Sequence, residues 1–112
     1  MADQLEEIKK GFVENTLNEL SSLRETLVGD GKLHDVRSVE TAEKVFMAMH
    51  GICGTAPVLG FEHLVPVSRK IEMVFDKIRK GEENFSEQIS IQTQRGIDSI
   101  MAELQRHTES VT

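Results

Sequence analysis

Apolar residues fall into four runs along the chain, each spaced at the threes and fours that line one face of a helix. In the first, Leu5, Ile8, Phe12, Leu17, Leu20 and Leu27 form the stripe, and Asp3 and Glu6 stand at capping-box spacing ahead of it. The pattern predicts a helix over about 3–28, ended by the turn-forming GDGK at 29–32. A second helix, about 37–56, places Ala42, Val45, Met49, Ile52 and Ala56 on one stripe and stops before Pro57, which disfavours helical geometry in the residue preceding it. The third, about 61–80, carries Leu64, Val67, Ile71, Val74, Phe75 and Ile78 and closes at Gly81. Pro66 has no N–H for the carbonyl of Glu62, so a kink or a late start is expected there. The fourth, about 86–107, begins at Ser86 as N-cap and continues through Ile89, Thr93, Ile97, Ile100, Met101 and Leu104.

Four helices of similar length with short connections predict an all-α fold, an antiparallel up-and-down four-helix bundle formed by one domain over 1–112. Five aromatic residues, all Phe, and only two prolines argue against a many-stranded sandwich or barrel. The net charge of −6 disfavours nucleic acid or an anionic membrane as a partner, since each requires a basic face. A protein or a cation is the expected partner. No apolar run approaches the roughly 18 residues of a membrane span, and MADQLEEIKK lacks the features of a signal peptide. The single cysteine, Cys53, has no partner for an internal disulfide, which suits a reducing compartment, so a soluble cytoplasmic monomer is expected.

The stretch HGICGTAPVLG at 50–60 is the chemically suggestive one. Glycine costs about 0.8–1 kcal/mol against alanine inside a helix, so Gly51 and Gly54 need a reason. At 100° per residue, His50 lies roughly 100° from the middle of the core stripe, on a shoulder where its ring reaches solvent. Gly54 lies about 40° from it on the outward side, leaving the imidazole uncovered. Gly51 also faces away from the core, for no reason the pattern supplies. On the third helix Glu72 occupies a comparable shoulder. If the second and third helices are antiparallel neighbours, Glu72 can face His50, accept from one ring nitrogen and leave the lone pair of the other for attack.

These residues resemble the histidine-containing phosphotransfer domains, whose signature is a helix with H-x-x-K-G and a further Gly six residues on. His50, Gly54 and Gly60 occupy those places. The pattern is most similar to the amino-terminal phosphotransfer domain of chemotaxis kinases, with Gly60–Phe61 after the motif, Glu72 following the His by 22 residues, and KIRKGE at 77–82. The resemblance implies that His50 accepts a phosphoryl group on Nε2 while Glu72 holds Nδ1–H, with Gly54 and Gly60 opening the surface and turning the chain. It implies a histidine kinase and the aspartate of a response-regulator receiver domain as partners. It implies no cofactor of the chain's own, magnesium belonging to the kinase or receiver.

One departure stands out: the family's Lys three residues after the His is Cys53 here. An ammonium attracts the incoming phosphoryl group and a neutral thiol does not; Arg69, three residues before Glu72, and its neighbour Lys70 are the candidates to supply a cation instead. Replacing Cys53 by Lys should speed phosphorylation or lengthen the phosphohistidine lifetime if charge is limiting. The reading from a different class is a docking module that binds a receiver or kinase without efficient transfer.

Plainer readings apply elsewhere. Cys53 is a small half-buried residue in the place of the Lys stem. His50 and Cys53 share a face and both ligate zinc, but a structural site needs about four ligands and only His63 is close in sequence. His34 falls in a polar loop, His63 near the start of the third helix, and His107 in the last turn of the fourth, where a cation suits the dipole. Met73 faces a partner or the interior. Phe61 is read as core, or else as part of the docking surface with Gly51 and Met73.

Overall fold

The computed structural model describes residues 2–29 and 36–111, with side chains from 4–28 and 39–108. The described chain is helical throughout its regular structure: α1 spans Ala2–Gly29, α2 Val36–Thr55, α3 Val65–Arg79 and α4 Glu87–Val111, with a short 3-10 turn at Glu62–Leu64 ahead of α3. The GDGK turn and His34 lie outside the described residues. No helix among the described residues is long and apolar enough to cross a membrane.

Helix α2 packs most extensively along α3, and α1 along α4, with α1 also touching α2 and α3 touching α4. The second stripe is buried in full, from Ala42 and Val45 through Met49 and Ile52 to Ala56. It meets Ile71, Phe75 and Ile78 of α3, Ile97, Ile100 and Leu104 of α4, and Val13, Leu20, Leu23 and Leu27 of α1 in one core. Leu5 and Ile8, expected in the first stripe, are exposed instead. At about 1.5 Å per residue α1 runs roughly 42 Å, and at its start the end of α4 comes beside Glu6, Glu7 and Lys10 at His107 and Thr108, leaving Leu5 and Ile8 uncovered. Asp3 falls inside α1 rather than ahead of it, because the helix begins at Ala2.

The two prolines act differently. Pro66 sits at the first turn of α3, where its missing N–H costs nothing, and the late start comes from the 3-10 turn that replaces α-helix over 62–64. After α2 the chain keeps turning through Pro57 to Gly60, with Phe61 N–H donating to the Ala56 carbonyl at 2.8 Å and Gly60 N–H to that of Pro57 at 3.4 Å. This is the paired bonding of a helix stop with a left-handed residue, and Gly60 at φ +87° supplies that residue. Helix α3 closes in the same way, Glu82 N–H reaching the Lys77 carbonyl at 2.8 Å. Ser86 caps α4 as expected, its Oγ accepting from the Ile89 N–H at 3.1 Å.

Gly96 of α4 has a role that the apolar pattern does not reveal. A Cβ there would come within 2.8 Å of Ile71 Cδ1 and 3.3 Å of Val67 Cγ1, so the bare glycine is what lets α3 and α4 approach. Arg24 of α1 and Asp98 of α4 close the other side with a two-point ion pair, Nε to Oδ1 at 2.6 Å and Nη2 to Oδ2 at 3.3 Å.

Candidate functional site

His50 belongs to α2 and Glu72 to α3, on the shoulders flanking the buried seam between these helices. The seam is apolar and close-packed, which fixes both backbones and so the approach of the two side chains. His50 Nδ1 lies 2.6 Å from Glu72 Oε2, with the His50 side chain 67% exposed and that of Glu72 17%. A carboxylate only accepts, so at this distance Nδ1 carries the hydrogen and donates it. In the neutral ring the lone pair is then on Nε2, on a mostly solvent-exposed side chain. The arrangement presents a nucleophilic nitrogen with a fixed tautomer.

The imidazole stacks on Phe46, one turn earlier on α2, with ring centroids 5.8 Å apart and planes 19° from parallel. The Arg79 guanidinium lies over the Phe46 ring at 3.8 Å from its centroid. Arg79 is held in turn by Asp76, through Nε at 2.9 Å and Nη2 at 2.7 Å, and reaches Glu43 at 3.4 Å. Lys80 Nζ takes the other Asp76 oxygen at 3.0 Å. The Lys80 hydrogen bond, opposed in part by burial and joined by Arg79, holds Asp76 below the usual carboxylate range. Phe46, Glu72, Asp76, Arg79 and Lys80, with Arg69 and Met73, line an open depression of about 410 Å³ around His50.

Cys53 lies beside Glu72, half-buried. Burial pushes its thiol up from the ordinary value, and the Glu72 carboxylate adds to this by charge and by accepting the thiol's hydrogen bond, while Arg69 pulls the other way. Glu72 therefore stands beside both His50 and Cys53, which lie on successive turns of α2. Of the neighbouring cations Arg69 and Lys70, Arg69 lines the His50 depression. Lys70 faces the groove between α3 and α4, with Val67, Ile71 and Gly96. Arg79 and Lys80 are engaged by Asp76, whereas Arg69 makes no ion pair among the described residues.

The glycines and apolar residues divide clearly. Gly51 and Gly54 are exposed, and a Cβ on either would meet nothing within 4 Å, so no packing inside the chain requires them. Met73 is 60% exposed beside the depression. Phe61 is not part of an outer surface: it is 6% exposed, stacked on Phe12 at 5.8 Å and met edge-on by His107 at 5.1 Å. It turns inward because the Gly60 stop reverses the chain over the end of α2. His107 is not in the last turn of its helix, since α4 continues to Val111. His63 lies in the 3-10 turn with Nε2 3.4 Å from Glu103 Oε2.

Phe46, Asp76, Arg79 and Lys80 were not singled out by the sequence pattern. The signal was present in the spacing, for Phe46 is four residues before His50 and Arg79 seven after Glu72, one and two turns away on the same faces. Among the described residues no group of three or more His, Cys, Asp or Glu side chains is placed to hold a metal ion. The chain matches no family model, no curated protein and no solved structure.

Proposed function

We propose that the chain is a histidine phosphotransfer domain: His50 accepts a phosphoryl group and exchanges it with the aspartate of a response-regulator receiver. The observation that carries this reading is the 2.6 Å contact of Nδ1 with Glu72 on an otherwise exposed ring. That combination is what nucleophilic use of Nε2 requires, and a histidine serving only to pack has no need of it. In the forward step the Nε2 lone pair attacks phosphorus in line. The bond from phosphorus to the donor oxygen breaks, and its electrons leave with the donor as a carboxylate or as ADP. Nδ1 keeps its proton, and Glu72 offsets the positive charge that develops on the ring. Arg69 supplies the cation facing the transferred group, in place of the lysine that Cys53 has displaced.

The helices fit an antiparallel up-and-down bundle in a single domain. Glu43 pairs with Arg79 and His50 with Glu72, so advancing along α2 means retreating along α3. Arg24 with Asp98 makes the corresponding cross-link between α1 and α4. The partner surface is the face around His50, where Gly51 and Gly54 let a second backbone approach and Met73 offers apolar contact. A histidine kinase and a receiver are the partners, each bringing its own magnesium, and the domain works as a cytoplasmic monomer.

The deciding experiment is incorporation of acid-labile, base-stable phosphate from a small phosphodonor or kinase, wild type beside His50→Ala. Label that disappears with His50 supports the carrier. An unlabelled wild type, under conditions that label a control domain, leaves a receiver-docking module as the better account. That module would bind its receiver equally well as His50→Ala.

A further inference from the structure

We infer that Phe46 and Arg79 are positioning residues for His50, forming a platform that holds the imidazole in the one rotamer that meets Glu72; this rests on reading His50 as the phosphoryl acceptor. The need for a platform follows from exposure. A side chain 67% exposed is not fixed by packing, and a single hydrogen bond at Nδ1 fixes one atom. The ring remains able to swing about that bond, carrying the Nε2 lone pair away from the line of attack. A near-parallel neighbour against one side of the ring limits that freedom, and the offset stack on Phe46, 19° from parallel with centroids 5.8 Å apart, supplies one.

Phe46 is itself only half-buried, so the platform needs its own support. Arg79 provides it at 3.8 Å from the ring centroid, and is not free to move away. Asp76 holds it by two nitrogens and Glu43 by a third contact, while Lys80 fixes the second oxygen of Asp76. Solvent-accessible ion pairs contribute little to stability by themselves, which leaves the arrangement of Asp76, Glu43, Arg79 and Lys80 beside His50 without a purely structural purpose. Its geometric result is a continuous set of held groups from the end of α3 to the imidazole face.

Positioning of this kind acts on the rate of attack and leaves donor binding alone. Replacing Phe46 by Leu keeps an apolar side chain but removes the flat ring, and phosphorylation by phosphoramidate should slow about 5- to 20-fold at saturation with half-saturation unchanged. Phe46→Tyr restores the stack and should return to within about twofold of wild type. Arg79→Gln leaves Phe46 in place but unclamped, with a smaller loss of about two- to fivefold.

The test pairs those rates with nitrogen-15 NMR of the His50 ring in the full chain, reading tautomer and side-chain couplings without any phosphodonor. The expected result is rotamer averaging in Phe46→Leu, less averaging in Arg79→Gln, and a single rotamer again in Phe46→Tyr. A single wild-type-like rotamer in Phe46→Leu, with the rate within twofold, overturns the platform. Should wild type take no phosphate, the transfer reading fails by itself, and the ring's order in Phe46→Leu still judges the platform: order retained overturns it, order lost upholds it. Arg79→Gln, which removes no apolar side chain from the core, carries the same judgement if Phe46→Leu does not fold.

Discussion

Two phenylalanines in this protein each touch an imidazole, and the two assemblies have opposite logic. Phe61 is buried, and His107 and His63 approach it from the edge and at a tilt, so there the aromatic ring is the anchored piece. Phe46 is half-buried and lies flat against an exposed His50 whose Nδ1 is committed to a carboxylate. The carboxylates differ as well. Glu103 beside His63 is shared with Arg106 at 2.7 Å, whereas Glu72 has no Lys or Arg partner among the described residues and is more deeply set. A histidine near a ring and a Glu is therefore no evidence of chemistry by itself. What separates the two is which partner is fixed and whether the second ring nitrogen is left in the open.

The largest contrast is in stability. Phe61→Ala should cost about 3–5 kcal/mol in a denaturant melt, the usual range for a buried ring, while Phe46→Ala should cost about 1–2 kcal/mol because that ring is only partly buried at the edge of the core. Equal costs would mean that Phe46 is core, and the comparison would collapse. The next contrast is in transfer. Glu72→Gln should slow phosphate incorporation about 10- to 100-fold, since the amide lacks the charge and can also turn its NH₂ toward Nδ1 and select the wrong tautomer. Glu103→Gln should leave the rate within about twofold, as expected of a carboxylate outside the chemistry. A comparable loss at both positions would show that the two His–Glu pairs had been wrongly separated.

The contrast explains what the sequence could reveal. The four helices follow from apolar spacing, because burial of Met49, Ile52 or Phe75 is a property of periodicity that one chain carries openly. His50 and Glu72 were legible as shoulder positions, and their meeting required only that α2 and α3 be neighbours. Phe61 was harder, because its inward direction depends on the Gly60 stop and the 3-10 turn, which tilt the chain between two regular periods. The exposure of Leu5 and Ile8 was hidden because a stripe shows which face is apolar and not whether a neighbouring helix covers it. Arg79 was least legible: a charged residue near a helix end reads as a solvated cation until the partner helix brings Phe46 beneath it.

A smaller effect sharpens the comparison on the side of charge. Arg69→Gln should slow phosphorylation or shorten the phosphohistidine lifetime by about three- to tenfold, less than the loss of a buried oxyanion donor because the depression is open to screening solvent. Cys53→Lys should act in the opposite direction and by a similar factor, and the pair should be partly redundant. Lys70→Gln, on the α3–α4 groove, serves as the control and should change neither quantity. If Lys70→Gln and Arg69→Gln behave alike, the cation acts through the net field of the protein and not from a place beside His50.

The smallest effect is a shift in the reactivity of Cys53, and its sign tests whether Glu72 is as isolated from cations as the comparison requires. Burial is the larger cause of the raised thiol and Glu72 the next, with Arg69 opposing both. A raised thiol stays protonated through neutral pH, so iodoacetamide should modify Cys53 more slowly than a free thiol at pH 8, with a midpoint above the ordinary thiol range. Glu72→Gln should bring that midpoint down without restoring the ordinary value, because burial remains. Arg69→Gln should move it further up. A midpoint that does not respond to Glu72→Gln would place the carboxylate's charge elsewhere, most simply on a cation it shares, and Glu72 would then resemble Glu103 after all.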